Sequence, residues 1–236
     1  MCTVTFIPRP NNNFILTSNR DEAPERATIP PKMYKEEGIM LLYPQDAVAG
    51  GTWIGISEKK RAVSLMNGGF KAHIRKSHYR KSRGIVVKDF LIADDLTSLL
   101  TSYNFDGIEP FTAVVVEWTN NVELFTLVWD GENLHTIKEA NVPKIWSSSP
   151  LYPETIKLER EQWFSVFLSE NENVLSKEIL RFHKTAGEGN LENGLIMDRG
   201  FVKTKSITQI VKNGDRLEMR YEDFQLEEPS TLVFEK

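Results

Sequence analysis

Cysteine occurs once in this chain of 236 residues, at position 2. A thiol does chemistry only where a base and a charge partner can reach it, and the densest polar group nearby is Asn19-Arg20-Asp21-Glu22. That group follows directly on the apolar run Phe14-Ile15-Leu16. Thr3 to Pro8 alternates and is rich in β-branched residues, and Phe14 to Ser18 also reads as a strand. The breaker-rich segment Pro8-Arg9-Pro10-Asn11-Asn12-Asn13 between them makes a hairpin the expectation. Facing positions in an antiparallel pair have a constant sum. A loop centred near Pro10-Asn11-Asn12 therefore brings Cys2 beside Asn19 and Arg20, with Asp21 just beyond. A slip of one residue would change which side chain shares its face, but not the neighbourhood.

The chemistry open to such a group is that of an N-terminal nucleophile. With Met1 removed, Cys2 carries both a thiol and a free α-amine, whose pKa of about 7.7–8.0 lets it take the thiol proton. An arginine alongside favours the thiolate, the reactive species. An aspartate can orient the ammonium or hold the arginine in place. The ordinary alternatives are a cysteine packed as a small hydrophobe and an Arg-Asp surface turn with a weak ion pair.

The elements that must position these residues follow from pattern. A second hairpin is expected from Gly50-Gly51-Thr52-Trp53-Ile54-Gly55-Ile56-Ser57 and Arg61 to Met66, joined by Glu58-Lys59-Lys60. Apolar spacing at Ile85, Val86, Phe90, Leu91, Leu96, Leu99 and Leu100 marks two helices near 84–104. Strands follow at Phe111 to Trp118 and Val122 to Trp129, then shorter ones at 134–138 and 144–148. Pro153 can open a long helix to about Ser169 with Ile156, Trp163, Phe164 and Phe167 on its apolar face, and another runs over 173–183. The end returns to strands at 206–212, 216–224 and 231–234, the first two joined by Asn213-Gly214-Asp215. Hairpins separated by helix pairs imply antiparallel sheets covered by helices, an α+β layered fold. With no internal repeat or low-complexity linker, residues 1–236 read as one domain.

Composition narrows the class. The chain is 40% hydrophobic and 26% charged, the balance of a soluble globular protein. A formal net charge of -4 argues against a general nucleic-acid partner. No apolar run approaches the ~20 residues that span a bilayer, and the first residues lack the basic start of a signal peptide. A lone cysteine permits no internal disulfide, which fits a reducing, cytoplasmic location. Nothing in composition or pattern sets the oligomeric state.

Met1-Cys2, Asn19-Arg20-Asp21-Glu22 and Gly50-Gly51-Thr52-Trp53-Ile54-Gly55-Ile56 together resemble the NRDE family, also called the transport-and-Golgi-organisation family. Ser64-Leu65-Met66-Asn67 and Thr204-Lys205-Ser206-Ile207-Thr208 extend the resemblance over most of the chain. It implies a four-layer αββα sandwich like that of the N-terminal-nucleophile hydrolases, whose cysteine branch, the penicillin V acylases and bile-salt hydrolases, cleaves linear amides. By that resemblance Cys2 is the nucleophile, Arg20 and Asp21 sit against it, and Asn67 donates to the oxyanion. Asn19, Ser148, Ser149 and Lys205 complete a substrate-facing set. Three departures stand out. Arg20 and Asp21 are adjacent where the hydrolases separate them, Ser147-Ser148-Ser149-Pro150 lacks the hydrolases' second Asn, and Lys205 replaces a late Arg, losing its planar fork. In eukaryotes the family is associated with membrane-organelle organisation and with haem or lipid handling. A non-catalytic carrier of lipid, acyl-CoA or haem is therefore the alternative to a hydrolase of a small amide, and an adaptor with a purely structural site is the weaker one.

The remaining features carry less. Residues 71–83, Lys-Ala-His-Ile-Arg-Lys-Ser-His-Tyr-Arg-Lys-Ser-Arg, form the most basic run, an anion grip or a solvated loop. His73, His78, His135 and His183 are scattered without metal-ligand spacing, so no metal is expected, and no phosphate-loop or dinucleotide fingerprint calls for a cofactor. Gly50-Gly51 and Gly68-Gly69 fit either turns or a close backbone approach.

Overall fold

The computed structural model describes residues 2–226 and 228–235, with side chains from Thr3 onward. Two compact units divide the chain: residues 1–25 with 142–233, and residues 26–141 with the last three.

The first unit holds a six-stranded sheet in the order β10-β1-β2-β11-β12-β13. These strands are β1 (Cys2–Arg9), β2 (Asn13–Glu22), β10 (Lys144–Ser147), β11 (Lys203–Asn213), β12 (Arg216–Asp223) and β13 (Ser230–Val233). The expected first hairpin is present, with Arg9 facing Asn13 at its closed end. Its turn depends on Asn11 and Asn12, both left-handed at φ 59° and 58°. Asparagine tolerates that conformation better than most side chains. Two helices, α3 (Glu154–Glu170) and α4 (Ser176–Thr185), cover one face of the sheet. Ile7, Ile15 and Ile145 from the strands pack there with Phe164, Phe167, Ile179 and Phe182 from the helices. Each such side chain, fully buried, contributes about 1.5–3 kcal/mol.

The second unit holds a seven-stranded sheet, β3 to β9 in sequence order. Its strands are β3 (Thr28–Glu36), β4 (Ile39–Asp46), β5 (Ile54–Ser57), β6 (Arg61–Asn67), β7 (Phe111–Glu117), β8 (Glu123–Trp129) and β9 (Leu134–Glu139). Helices α1 (Arg83–Ile92) and α2 (Leu96–Ser102) lie close to the expected positions. Ser82 caps α1 by accepting from Ile85 N, and Asp95 caps α2 by accepting from Ser98 N. Val86, Val87, Phe90 and Leu91 bury α1 against Leu41, Tyr43, Val63, Leu65, Ala113 and Val115.

The sequence pattern did not mark β3 and β4. For β3 the reason is Pro30-Pro31, which breaks the strand pattern. The β3–β4 register shifts between Ile29 and Lys32, so both prolines sit in an irregularity on an edge strand, where a missing N–H is tolerated.

Candidate functional site

The β1–β2 register pairs residue 2 with Arg20 and Thr3 with Asn19. The side chain of Cys2, like all of Met1, lies outside the described residues. The β1–β10 register ends at Thr3↔Ser147, with Ser148 next along the chain. Arg20 also faces Ser206 of β11 on its other side. Residue 2 thus faces Arg20 across the ladder, and Ser148 is the first residue after β10 on the other side. Arg20 is 3% exposed and Ser148 2% exposed. The Ser148 hydroxyl is buried with no hydrogen-bond partner among the described residues.

Strand alternation divides the four-residue motif between the two faces of β2. Arg20 points to the face away from α3 and α4. Asn19 and Asp21 point to the helix-covered face, where each is built into a polar frame. The Asn19 amide nitrogen donates to His183 O at 3.2 Å and Leu195 O at 2.7 Å. These two bonds leave Asn19 Oδ1 as the acceptor for His183 Nδ1. His183 therefore carries its proton on Nδ1, and Nε2 accepts from Thr5 Oγ1 at 2.7 Å. Full burial, with the Arg160 charge nearby, pushes His183 down to about 3, so the ring is neutral.

Asp21 accepts from Thr204 Oγ1 at 2.7 Å and from Tyr152 Oη at 3.2 Å. Burial pushes its carboxyl above the usual range, and these hydrogen bonds and Arg160 offset only part of that. Arg160, wholly buried on α3, lies with its guanidinium 3.5 Å from the centre of the Tyr152 ring. It donates to Thr3 Oγ1 at 2.6 Å, to Asn193 O at 3.0 and 3.1 Å, and to Gly194 O at 2.8 Å. Arg160 thereby ties α3 to the start of β1 and to the loop before β11. Glu22, half-buried, accepts from the next backbone amide, Ala23 N.

Lys205 is the residue skipped where the β2–β11 register shifts between Thr204 and Ser206. Such a bulge re-aims a side chain. Its ammonium donates to Pro24 O at 2.5 Å and Gln225 Oε1 at 2.6 Å, which fixes the chain just after the motif. Burial holds this lysine below its usual range, with Asp223 opposing. Ser149 is half-buried beside Ser148. Asn67 closes β6 in the second unit, half-buried and facing Phe111 across the ladder.

Sequence reasoning gave no role to Arg160, Tyr152 and Thr204, and weighed His183 only as a metal ligand, setting it aside for want of spacing. A signal for two of them existed. Arg160 sits on the apolar stripe Ile156-Arg160-Trp163-Phe164-Phe167, and His183 on the stripe Ile179-Phe182-His183. A charged or titratable residue on a buried stripe requires a partner. Among the described residues no three of His, Cys, Asp and Glu converge to hold a metal. No helix among them is long and apolar enough to cross a membrane.

The two sheets and their helices are shared with solved enzymes over nearly the whole chain. A conjugated bile acid hydrolase from Clostridium perfringens, in a variant form, matches with a TM-score of 0.63 at 8% identity, covering 98% of this chain and 92% of that one. A Caenorhabditis elegans ortholog of N-acylethanolamine-hydrolyzing acid amidase matches with a TM-score of 0.63 at 14% identity, covering 99% and 100%. The penicillin V acylase of Agrobacterium tumefaciens follows at 0.57 and 9% identity, covering 99% and 86%. The protein has the fold of the N-terminal-nucleophile hydrolases, as the resemblance in its motifs implied. By sequence, residues 1–187 match the profile of the Transport and Golgi organisation 2 family, and the chain belongs to that family. No curated protein matches it.

Proposed function

We propose that this protein is a cysteine hydrolase of the N-terminal-nucleophile type, cleaving a linear amide in an acylated small molecule. The observation that carries the reading is the ladder register, which pairs residue 2 with a buried arginine in the middle of a sheet. The similar structures support it. Their names are those of a hydrolase, an acylase and an amidase, and one solved form of the bile acid hydrolase has its cysteine at position 2 replaced by alanine.

In this reading Met1 is removed and the α-amine of Cys2 takes the thiol proton. Arg20 favours the resulting thiolate. The thiolate adds to the amide carbonyl, and a donor to the oxyanion contributes about 3–4 kcal/mol, the role that the family resemblance gives to Asn67. The C–N bond breaks as the ammonium returns its proton to the leaving amine, and water then hydrolyses the thioester. Ser148, with its unpartnered buried hydroxyl, and Ser149 face the substrate. Asp21 and Asn19 act from the helix side, holding β2 in register, and Lys205 fixes the turn beyond. A lone thiol in this role suits a reducing compartment such as the cytoplasm.

The test begins with the intact mass of untagged protein made with its native processing machinery. Loss of one methionine is expected. Processed protein is then screened against N-acyl amides, and Cys2→Ala should abolish turnover without lowering the melting temperature. Full retention of Met1, or turnover unchanged in Cys2→Ala, would overturn the proposal.

A further inference from the structure

Between β6 and α1 the chain runs from Gly68 to Ser82 without a helix or a named strand. Residues 71–83 contain six cations, Lys71, Arg75, Lys76, Arg80, Lys81 and Arg83, and no acidic residue. The stretch is nonetheless held in place. Arg80 Nε and Nη2 donate to Asp106 O at 2.8 Å and Asn104 O at 2.5 Å, and Arg80 N donates to Gly107 O at 2.6 Å. Glu109, almost buried, gathers Arg83 at 3.1 Å, His73 at 3.3 Å and Arg75 at 3.7 Å. Lys81 pairs with Asp89 at 2.6 Å.

These contacts leave two of the cations, Arg80 and Lys76, without a carboxylate partner among the described residues. Arg80 spends its hydrogen bonds on neutral carbonyls, and Lys76 has no ion pair among the described residues. In the middle of this stretch Ile74 is 95% exposed, the most exposed large hydrophobic side chain of the described residues. Phe70, at the loop's start, is half exposed. Single exposed apolar residues are common and need no special account. Leu191, between Asn190 and Glu192, is one of these. Ile74 differs in its cationic collar: Lys71 precedes it, and Arg75 and Lys76 follow directly.

We propose that residues 70–83 dock this protein on the surface of an anionic bilayer. Ile74 enters the head-group layer, while Arg75, Lys76 and Arg80 meet the lipid phosphates and carboxylates. A soluble anion would satisfy the cations but offers nothing to Ile74. A bilayer presents an apolar medium directly beneath a layer of negative charge, which matches both parts of the loop. One inserted apolar residue plus a few basic ones gives reversible binding, since each signal alone is weak. The chain's net charge of -4 means that an anionic surface repels the rest of the molecule and favours approach by this loop.

The experiment is flotation of the purified full chain with phosphatidylcholine vesicles, with and without phosphatidylserine. Binding is expected only with phosphatidylserine, and it should fall as salt is raised. Ile74→Asp and Lys76→Glu, both at exposed positions and checked for an unchanged melting temperature, should each lower the bound fraction by about fivefold or more. Absence of flotation, or equal binding to neutral vesicles, would overturn the proposal. So would binding that Lys76→Glu removes and Ile74→Asp leaves intact, because that is the behaviour of a plain anion patch.

Discussion

Asp21 is held by two hydroxyls, Thr204 and Tyr152, and Arg160 meets the face of the Tyr152 ring. A carboxylate so placed is hydrogen-bonded yet poorly solvated, and burial has pushed its proton affinity up. The neutral isostere removes that strain while keeping an acceptor for one hydroxyl and a donor for the other. Asp21→Asn is therefore expected to melt at the same temperature as the parent at neutral pH, or a few degrees higher. Under the proposed hydrolase reading the same variant loses turnover, because the carboxylate that orients the Cys2 ammonium is gone. A thermal melt and a turnover assay on one preparation check both halves. A clear fall in melting temperature would mean that the charged form is what the frame requires. The sequence could bring Asp21 near residue 2, but it could not show the aspartate turned to the opposite face from Arg20. That follows from alternation along β2, which runs on to Glu22, four residues past the Ser18 at which the sequence pattern ended the strand. The partners of Asp21 were further out of reach, since Tyr152 and Thr204 stand 131 and 183 residues away along the chain.

At the scale of elements, local signals were legible and long-range ones were not. The Pro153 start of α3, the Asn213-Gly214 turn and the β7–β8 pair are all encoded within a few residues, and each is present. β3 escaped because an edge strand with a bulge tolerates the prolines that a central strand would not. The glycine-rich motif before β5 was open to two readings, and packing decides between them for Gly51. A Cβ on Gly51 would come within 2.4 Å of the Gly84 backbone carbon, at the first turn of α1. Thr52 N donates to Gly84 O at 3.1 Å across the same contact. A Cβ on Gly55 would likewise come within 2.7 Å of Leu91 Cδ1. These glycines bring α1 onto the sheet. Gly51→Ala must push backbone against backbone, and it is expected to destabilise by about 1–3 kcal/mol, the usual range for overpacking. Urea unfolding should show the shift in midpoint with an unchanged slope. A variant as stable as the parent would mean that close packing of α1 is not why glycine stands at this position.

For the molecule as a whole, the two buried titratable groups of the helix-side frame pull the pH dependence of stability in opposite directions. His183 is neutral in the fold, with its pKa near 3, whereas the unfolded ring takes a proton below about 6.5. Between those values the unfolded state binds more protons, so this group makes the fold less stable as the pH falls, by up to about 1.4 kcal/mol per unit. Asp21 has its folded pKa raised, so in the window above its model value of 3.8 the folded state binds the extra proton. Acidification through that window therefore stabilises, and offsets part of the His183 loss. Urea midpoints measured from pH 7 down to 4 should thus fall in the parent protein. They should fall more steeply in Asp21→Asn, where the offset is gone, and less steeply in His183→Asn, where the main acid-sensitive group is gone. The slope is the informative quantity, because His183→Asn also disturbs the bonds to Asn19 and Thr5 and lowers stability at every pH. Three parallel slopes would mean that neither group governs the response. The acid sensitivity in this window would then have to arise elsewhere in the molecule, and not from a lowered surface carboxylate such as Asp130, whose pKa of about 2 confines its effect to pH below about 3.8.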